Sequence, residues 1–324
     1  MTDITVAIPT YNRKALLAET IDSVLSQEGA SFEVIVVDNA STDGTAAMVS
    51  AMGDARVRVE ESAVNVGLVG NFNRALVAGT APFLTVLHDD DLLRPGSLAL
   101  RAELLASDRT MVVAYGNYGI IDQDRVRTCE VYRPDVPSGA IERPAEYLRA
   151  ALRGQVRCHM SAALLRRSLI GNVRCDELDG SYTDYGLWMR LACNGSFGLI
   201  PLAVADVRVH ASAGAAMGNF RLDSSGAVVA FESEQVMRAL EVARRVLSNR
   251  SLPVPSRTKL RVVAEVDSAR RLGRSVATDL AAGMPLWGLM GRVARVQPAA
   301  ALHPQFWRGV GVRLRDQLRG SPPV

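Results

Sequence analysis

Short apolar runs alternate with segments of helical periodicity through the first 116 residues, and few folds accommodate this alternation. The apolar runs predicted to be strands lie at 4–8, 34–37, 57–59, 83–87 and 111–115. The segments predicted to be helices lie at 12–25, with Asn12 as N-cap, and at 45–52, 68–78 and 95–106. Strands separated by helices of this length favour a parallel sheet with right-handed crossovers. We therefore expect an α/β fold here.

The remainder of the chain divides into a mixed region and a helical one. Between 117 and 214, helical segments near 144–153 and 184–194 precede a long apolar run at 199–209. Beyond a stretch rich in Gly, Ala and Ser, apolar residues again recur at helical spacing. We expect a boundary near residue 215, with a helical C-terminal region after it.

Charge is distributed unevenly along the chain. Residues 1–214 carry 20 basic and 26 acidic residues, whereas residues 215–324 carry 17 and 8, so that −6 and +9 give the net charge of +3. Such a basic segment can contact an anionic surface or a partner protein. Only two of the 37 basic residues are lysine, which indicates a general compositional bias toward arginine rather than a functional one. We expect no nucleic-acid partner.

Several classes of protein are excluded. The four cysteines have neither zinc-finger nor CxxC spacing, and four in 324 residues do not make a disulfide scaffold. The chain enters a strand at once without a signal core, and no run reaches the roughly 18 apolar residues of a membrane span. GxGxxG and P-loop motifs are absent. We expect a cytoplasmic protein.

Ligands of a parallel α/β sheet bind beyond the carboxyl ends of its strands, where this chain places polar residues. The sharpest of these segments is Asp89-Asp90-Asp91, directly after the fourth predicted strand. Three adjacent carboxylates repel one another, and a hard divalent ion such as Mg²⁺ relieves that repulsion. An exposed acidic turn is the alternative, but the position after a buried strand favours a metal site.

Six segments occur in the order and spacing of a known family. They are VAIPTYNR (6–13), VIVVDNASTDGT (34–45), NVGLVGNFNRAL (65–76), LHDDDLLRPGSL (87–98), TDYGLWMRLACNG (183–195) and VRVH (207–210). Over residues 3–210 the chain resembles the family 2 glycosyltransferases, nucleotide-sugar-dependent enzymes. The resemblance implies a GT-A fold, a Rossmann-like, mostly parallel sheet flanked by helices. It divides the chain into a domain at 1–214, with a nucleotide-binding half at 1–116 and an acceptor and catalytic half at 117–214, and a helical region at 215–324.

The resemblance also implies site residues. Those expected to bind the nucleotide are Pro9, Thr10, Tyr11, Asn12, Arg13, Asp38, Asn39, Asn65, Gly67 and Asp89. Asp90, Asp91 and His210 are expected to hold Mg²⁺ or Mn²⁺, with Asp90 as the principal ligand. The family often reads Asp-x-Asp-Asp where this chain has His88-Asp89-Asp90-Asp91, so His88 replaces the first aspartate. In an alignment shifted by one residue, Asp89 and Asp91 form the Asp-x-Asp motif instead.

Asp184 is the expected catalytic base, which would deprotonate an acceptor hydroxyl in a single inverting displacement. The chain has Thr183 where the family often has glutamate. The implied activity is sugar transfer from a nucleotide-sugar donor, UDP-linked by default, to a hydroxyl of a lipid-linked or polysaccharide acceptor. A non-catalytic nucleotide-binding scaffold and a nucleotidyltransferase-like enzyme remain the alternatives.

The C-terminal region has two interpretations. Residues 283–324 contain six arginines and one aspartate, together with Trp287, Phe306 and Trp307. This mixture suits peripheral contact with an anionic membrane, at the inner face of the cell membrane, if the acceptor is lipid-linked. It suits a homodimer interface equally well.

Overall fold

The computed structural model describes residues 2–131, 140–155, 158–209, 220–222, 228–230, 232–281, 290–291, 293–294, 304–308 and 310. The chain forms two compact units. The first comprises residues 1–147, 155–177 and 190–210, and the second comprises 148–154, 178–189 and 211–324. The domain boundaries stated above stay predictions.

The first unit is built on a ten-stranded sheet. Its strands are β1 (Ile4–Thr10), β2 (Phe32–Asp38), β3 (Val57–Glu61), β4 (Phe83–Val86), β5 (Leu92–Leu93), β6 (Met111–Ile121), β7 (Arg127–Val131), β8 (Ile141–Glu142), β9 (Ala163–Arg166) and β10 (Ser196–Arg208). They lie in the order β3-β2-β1-β4-β9-β6-β10-β5, with β7 paired to β6 and β8 to β10. β3, β2, β1 and β4 are mutually parallel, as are β6 and β10. The predicted parallel α/β core is confirmed.

The short strands β5, β7, β8 and β9 pair antiparallel with their neighbours. β9 joins β4 to β6 by antiparallel pairing on both sides. β5 pairs with β10 at Leu92↔Asp206 and Leu93↔Ala205. The pairing of β5 with β10 connects the segment after β4 to the end of β10 and so helps to position the acidic residues 89–91.

The helices are α1 (Lys14–Leu25), α2 (Thr45–Ala51), α3 (Gly67–Ala75), α4 (Ser97–Ser107), α5 (Pro144–Leu152), α6 (Arg167–Ile170), α7 (Thr183–Leu191), α8 (Glu232–Ser248) and α9 (Arg257–Ala281). In α1 the apolar residues recur at helical spacing, and Leu17, Ile21 and Val24 are fully buried in the main core with β-branched residues of β1 and β2. The expectation that Asn12 caps α1 is wrong. Arg13 is the N-cap residue, without a side-chain cap, because Asn12 has a positive φ of 52° and turns toward the loop after β2.

The second unit contains α8 and α9 and a short antiparallel pair, β11 (Phe220–Leu222) and β12 (Val228–Ala230). Val236 on α8, Leu272 on α9 and Phe306 belong to its apolar core. Arg244 and Glu265 link the two helices through a bidentate ion pair with distances of 2.8 and 2.7 Å. The helical C-terminal extension is confirmed. Within the described residues, no helix has the length and apolar character needed to cross a membrane.

Candidate functional site

The carboxylates of Asp89 and Asp90 converge on one cation at the end of β4. Arg13 Nη1 lies 2.6 Å from Asp90 Oδ2 and 3.3 Å from Asp89 Oδ1. The Thr10 hydroxyl, at the end of the neighbouring parallel strand β1, donates to Asp89 Oδ2 at 2.7 Å. Burial raises the pKa of Asp89, and the charge of Asp90 raises it further, against the opposing hydrogen bond from Thr10. Two carboxylates that face one positive group form an acidic site able to hold a cation.

Asp91 has different surroundings from its two neighbours. Its side chain is 1% exposed; Oδ2 accepts a hydrogen bond from the Ser161 hydroxyl at 2.5 Å, and Oδ1 accepts one from the backbone N–H of Arg208 at 2.9 Å. Burial raises the pKa of Asp91 to about 7. The predicted role of Asp91 as a metal ligand stays a prediction, and its contacts differ from those of Asp89 and Asp90.

Two histidines lie beside Asp91. Nδ1 of His88 and Nδ1 of His159 are each 3.7 Å from Asp91 Oδ2. The two imidazole rings meet edge to face with centroids 5.0 Å apart. Burial lowers the pKa of His159 to about 3, so this ring is neutral at physiological pH. Ser161 N–H donates to His159 Nδ1 at 3.3 Å, which leaves the ring proton on Nε2.

Arg208, at the end of β10, ties the acidic segment to the rest of the unit. Its side chain is 1% exposed. Nε donates to the carbonyl oxygen of Asp90 at 2.9 Å, Nη1 to that of Gln123 at 2.9 Å, and Nη2 contacts Glu19 at 2.8 Å. Ser161 and Arg208 are not among the site residues predicted from the sequence. For Arg208 the signal was present, since it lies in the VRVH segment next to the predicted ligand His210.

The loop after β2 uses its polar groups internally. Both carboxylate oxygens of Asp38 accept hydrogen bonds from Ser41, one from the backbone N–H at 3.1 Å and one from the hydroxyl. Asp43 accepts from Lys14 N–H at 3.0 Å and from Thr45 N–H at 3.1 Å. The Asn12 side chain accepts from Thr42 N–H at 2.8 Å. These bonds hold the loop in one conformation, and the predicted contact of Asp38 with a nucleotide base stays a prediction.

Asn39, Asn65 and Gly67 lie together next to that loop. Asn39 Nδ2 donates to Asn65 Oδ1 at 2.9 Å, and Asn65 Oδ1 also accepts from Gly67 N–H at 2.8 Å. Gly67 has a φ of 76°, a left-handed conformation that glycine adopts at little cost, and α3 begins there. Of the remaining nucleotide-binding candidates, Pro9 is in β1 and Tyr11, 45% exposed, follows it. The structure thus brings the candidates from β1, β2, α3 and β4 to one edge of the sheet.

Asp184 lies in the first turn of α7, within the second unit. Its Oδ1 accepts a hydrogen bond from the backbone N–H of Tyr185 at 2.7 Å. A carboxylate there is favourable with respect to the helix dipole. Its predicted catalytic role stays a prediction. His210 lies outside the described residues.

The donor set at Asp89 and Asp90 fits a hard divalent cation. It consists of carboxylate oxygens, the ligands that Mg²⁺ and Mn²⁺ take. The Arg13 Nη1 atom lies within 3.3 Å of both carboxylates, so a positively charged group fits between them. The residues present are therefore compatible with the Mg²⁺ or Mn²⁺ expected from the sequence.

The family model for glycosyl transferase family 2 matches residues 5–171, just over half of the 324 residues. The chain belongs to this family. The match begins in β1, ends after α6 and includes the acidic segment 88–91. The resemblance recognised from the six sequence segments is confirmed.

Curated relatives match shorter stretches. Succinoglycan biosynthesis protein ExoO of Rhizobium meliloti (strain 1021) is 34% identical over 122 residues, which are 38% of this chain and 35% of ExoO. The Escherichia coli protein named UDP-Glc:alpha-D-GlcNAc-diphosphoundecaprenol beta-1,3-glucosyltransferase WfgD is 28% identical over 123 residues, 38% of this chain and 48% of WfgD. The matched part of the chain thus spans between about a third and a half of the length of these two relatives.

Solved structures share the fold over nearly the whole chain. S. aureus TarS 1-349 in complex with UDP-GlcNAc has a TM-score of 0.59 and 14% identity, over 99% of this chain and 93% of that one. The mannosyltransferase PcManGT from Pyrobaculum calidifontis, in complex with GDP-Man and Mn²⁺, has a TM-score of 0.50 and 20% identity, over 97% and 87%. At these identities the likeness confirms the GT-A fold of this family 2 member.

Proposed function

We propose that this family 2 member transfers a sugar from a nucleotide-sugar donor to an acceptor hydroxyl with the help of a divalent cation. The observation that carries the proposal is the convergence of Asp89 and Asp90 on Arg13 at the carboxyl ends of parallel strands. Ligands of this class of sheet bind at that edge. Binding of UDP-GlcNAc by TarS, and of GDP-Man and Mn²⁺ by PcManGT, supports a nucleotide-sugar as the ligand.

The donor is held, in this proposal, by the edge that β1, β2, α3 and β4 form. Asp90, with Asp89 beside it, holds Mg²⁺ or Mn²⁺. When bound, the cation supplies positive charge to the diphosphate of the donor. Arg13 is close enough to the same carboxylates to offer a second positive group to that diphosphate. UDP is the proposed nucleotide, in keeping with the TarS complexes and the name of WfgD.

Asp184 is proposed as the general base. A carboxylate that removes the acceptor proton as the hydroxyl attacks the anomeric carbon accelerates transfer by about 10²–10⁴-fold. The O–H bond breaks as the new glycosidic bond forms, the proton goes to the carboxylate, and the nucleoside diphosphate leaves from the opposite face. One such displacement inverts the anomeric centre. The first-turn position of Asp184 in α7 supports an ionised side chain.

The proposed acceptor is a lipid-linked or polysaccharide glycan. The support is the names of the relatives, one for succinoglycan biosynthesis and one for a diphosphoundecaprenol-linked substrate. For such an acceptor, peripheral membrane contact through the basic region at 215–324 remains a proposal, with a homodimer as the alternative. Most of residues 283–324 lie outside the described part of the chain.

A donor screen with two variants tests the proposal. The wild-type protein is incubated with UDP- and GDP-sugars, Mn²⁺ or Mg²⁺ and a polyprenyl-diphosphate glycan, and product is measured by mass spectrometry. We expect Asp184→Asn to lower kcat by about 10²–10⁴-fold with donor affinity unchanged, because the amide cannot accept the proton. Asn retains an oxygen that accepts from Tyr185 N–H, and the melting temperature is measured beside kcat so that a loss of fold is distinguished from a loss of the base.

The matched control is Glu241→Gln, a carboxylate of α8 with a half-exposed side chain, which should transfer sugar like the wild type. Full activity of Asp184→Asn would remove this residue from its proposed role. Absence of metal-dependent donor binding in the wild-type protein would remove the proposal as a whole.

A further inference from the structure

His88 and His159, neither of which takes part in the proposed sugar transfer, form a cluster with Asp91. Among the described residues, they are grouped so that one ligand atom of each lies within 4.8 Å of the other two. His88 and Asp91 come from the segment after β4, and His159 precedes the 3₁₀ turn Met160–Ala162. Two imidazoles and one carboxylate are a donor set for borderline transition metals such as Zn²⁺, whereas Mg²⁺ prefers oxygen ligands alone.

We propose that His88, Asp91 and His159 bind a divalent transition-metal ion of the Zn²⁺ class, at a site distinct from the Asp89–Asp90 site. The distances support it. Both Nδ1 atoms lie 3.7 Å from Asp91 Oδ2, too far for hydrogen bonds to the carboxylate. Ligand atoms around a tetrahedral Zn²⁺ are about 3.4 Å apart, since each is about 2.1 Å from the metal. The two Nδ1–Oδ2 distances are thus within a few tenths of an ångström of that spacing, and all three ligand atoms lie within 4.8 Å of one another.

The surroundings of Asp91 resemble the outer shell of a metal site. The hydroxyl of Ser161 and the backbone N–H of Arg208 each donate to one carboxylate oxygen, which fixes the orientation of the ligand. Such outer contacts typically support metal ligands in proteins. The guanidinium of Arg208 contacts Asp90, Gln123 and Glu19. The Arg208 guanidinium therefore forms its hydrogen bonds with these groups and not with the Asp91 carboxylate.

Charge at the cluster favours a cation. Asp91 is almost fully buried, and a buried carboxylate is costly without a positive partner. The Nδ1 atoms of His88 and His159 both face this carboxylate at 3.7 Å, and a cation bound among the three groups would supply positive charge to it. A neutral imidazole is the form that ligates a metal. Nδ1 of His159 already presents its lone pair toward Ser161 N–H, and a bound metal would take the place of that 3.3 Å hydrogen bond.

Access and rigidity are also suitable. The side chain of His88 is 30% exposed and that of His159 is 19% exposed, so an ion and a fourth ligand from solvent can reach the cluster. Phe72 packs against His88 with ring centroids 5.4 Å apart, and Tyr118 against His159 at 5.2 Å. Both imidazoles are therefore held in place before any metal binds, which reduces the entropic cost of binding.

Calorimetric titration of the chelator-treated full chain with Zn²⁺ tests the site. We expect one Zn²⁺ per chain, and at least tenfold weaker binding in His88→Gln and in His159→Gln. The chain has four histidines, and His303→Gln is the matched control, expected to bind like the wild type. Co²⁺ gives a second readout, because four-coordinate Co²⁺ has visible absorption bands that the His88 and His159 variants should lose.

Two further variants separate this site from the nucleotide site. Ser161→Ala keeps all three ligands and should weaken Zn²⁺ binding about tenfold, the typical effect of an outer-shell loss. Asp90→Asn should bind Zn²⁺ like the wild type while it loses Mn²⁺-dependent donor binding. Unchanged Zn²⁺ affinity in both histidine variants would overturn the inference, and so would loss of Zn²⁺ binding in Asp90→Asn. Failure of sugar transfer alone would leave it standing.

Discussion

Two loops that follow the parallel strands β2 and β4, on either side of β1, contain the same types of residue but use them in opposite ways. At the end of β2 and in the loop after it, Asp38 accepts hydrogen bonds from Ser41, and Asp43 accepts them from Lys14 and Thr45, the first residues of α1 and α2. In the segment after β4, Asp89 and Asp90 share a guanidinium that is itself partly exposed. The first arrangement stabilises a loop, and the second keeps acidic groups close to a replaceable cation.

The pKa directions follow this difference. Asp43 is exposed, and desolvation, which raises its pKa, is outweighed by hydrogen bonds from Thr45 and Lys14, which lower it. Burial of Asp89 is not outweighed by the hydrogen bond from Thr10, and its pKa is raised. A carboxylate at a strand end is therefore a candidate for chemistry when its negative charge lacks full local compensation. Residue type and position alone do not distinguish the two loops.

The largest expected difference between the loops is in activity. Asp90→Asn should lower sugar transfer at least 100-fold, about 2.7 kcal/mol in barrier height, because an amide neutralises one of the two carboxylates that hold the cation. Initial rates with Mn²⁺ and the best donor measure it. Asp43→Asn is the control from the other loop and should transfer sugar within about threefold of the wild type. Equal losses in the two variants would show that the loops do not differ in function.

Stability should respond in the reverse order. Asp43→Ala removes the acceptor of the Lys14 and Thr45 N–H groups, and the loss of a hydrogen bond typically costs about 1 kcal/mol. Urea unfolding should show this decrease, whereas Asp90→Asn should unfold at nearly the wild-type midpoint. If Asp90→Asn unfolds at a lower urea concentration than Asp43→Ala, the Asp90 carboxylate has a structural role and the proposed difference between the two loops is wrong.

The pH dependence of that loss has a definite sign. The pKa of Asp43 is lowered in the folded state, so its contribution to stability is fully present above its unfolded pKa, near 4. The contribution is lost as the pH falls through the lowered folded value. The difference between wild type and Asp43→Ala in urea midpoint should be constant from pH 5 to 7 and shrink toward pH 3. A difference that grows on acidification would contradict the lowered pKa.

Local pattern was sufficient to predict the central strands and most helices. The apolar runs at 4–8 and 34–37 became β1 and β2, and their continuous hydrophobicity matches strands covered on both faces. The short strands β5 and β8, of two residues each, were not predicted, because their pairing with β10 depends on residues distant in sequence. Neither has enough length to show a period of its own.

The candidate site was also predictable only where its residues are close together in the sequence. Asp89 and Asp90 could be found because they follow a buried strand directly. The proximity of His159 and Ser161 to Asp91 could not, since about 70 residues separate them in the chain and β9 brings them back beside β4 and β6. The isolated positions of His159 and Ser161 carried no motif, and only the antiparallel return of the chain gives them a role.

Arg13 offers the finest test of the difference between the loops. Its guanidinium and a divalent cation compete for Asp89 and Asp90 in the absence of a nucleotide, so Arg13→Ala should tighten the binding of Mn²⁺ alone by a few-fold. Because the side chain is 31% exposed, solvent screens the pair and keeps this effect small. Electron paramagnetic resonance of free Mn²⁺ measures the affinity, with Arg56→Ala, an exposed ion pair to Asp54, as control. Weaker Mn²⁺ binding in Arg13→Ala would mean that the guanidinium positions the two carboxylates for the metal rather than competing with it. The metal would then bind beside Arg13 and would not replace it.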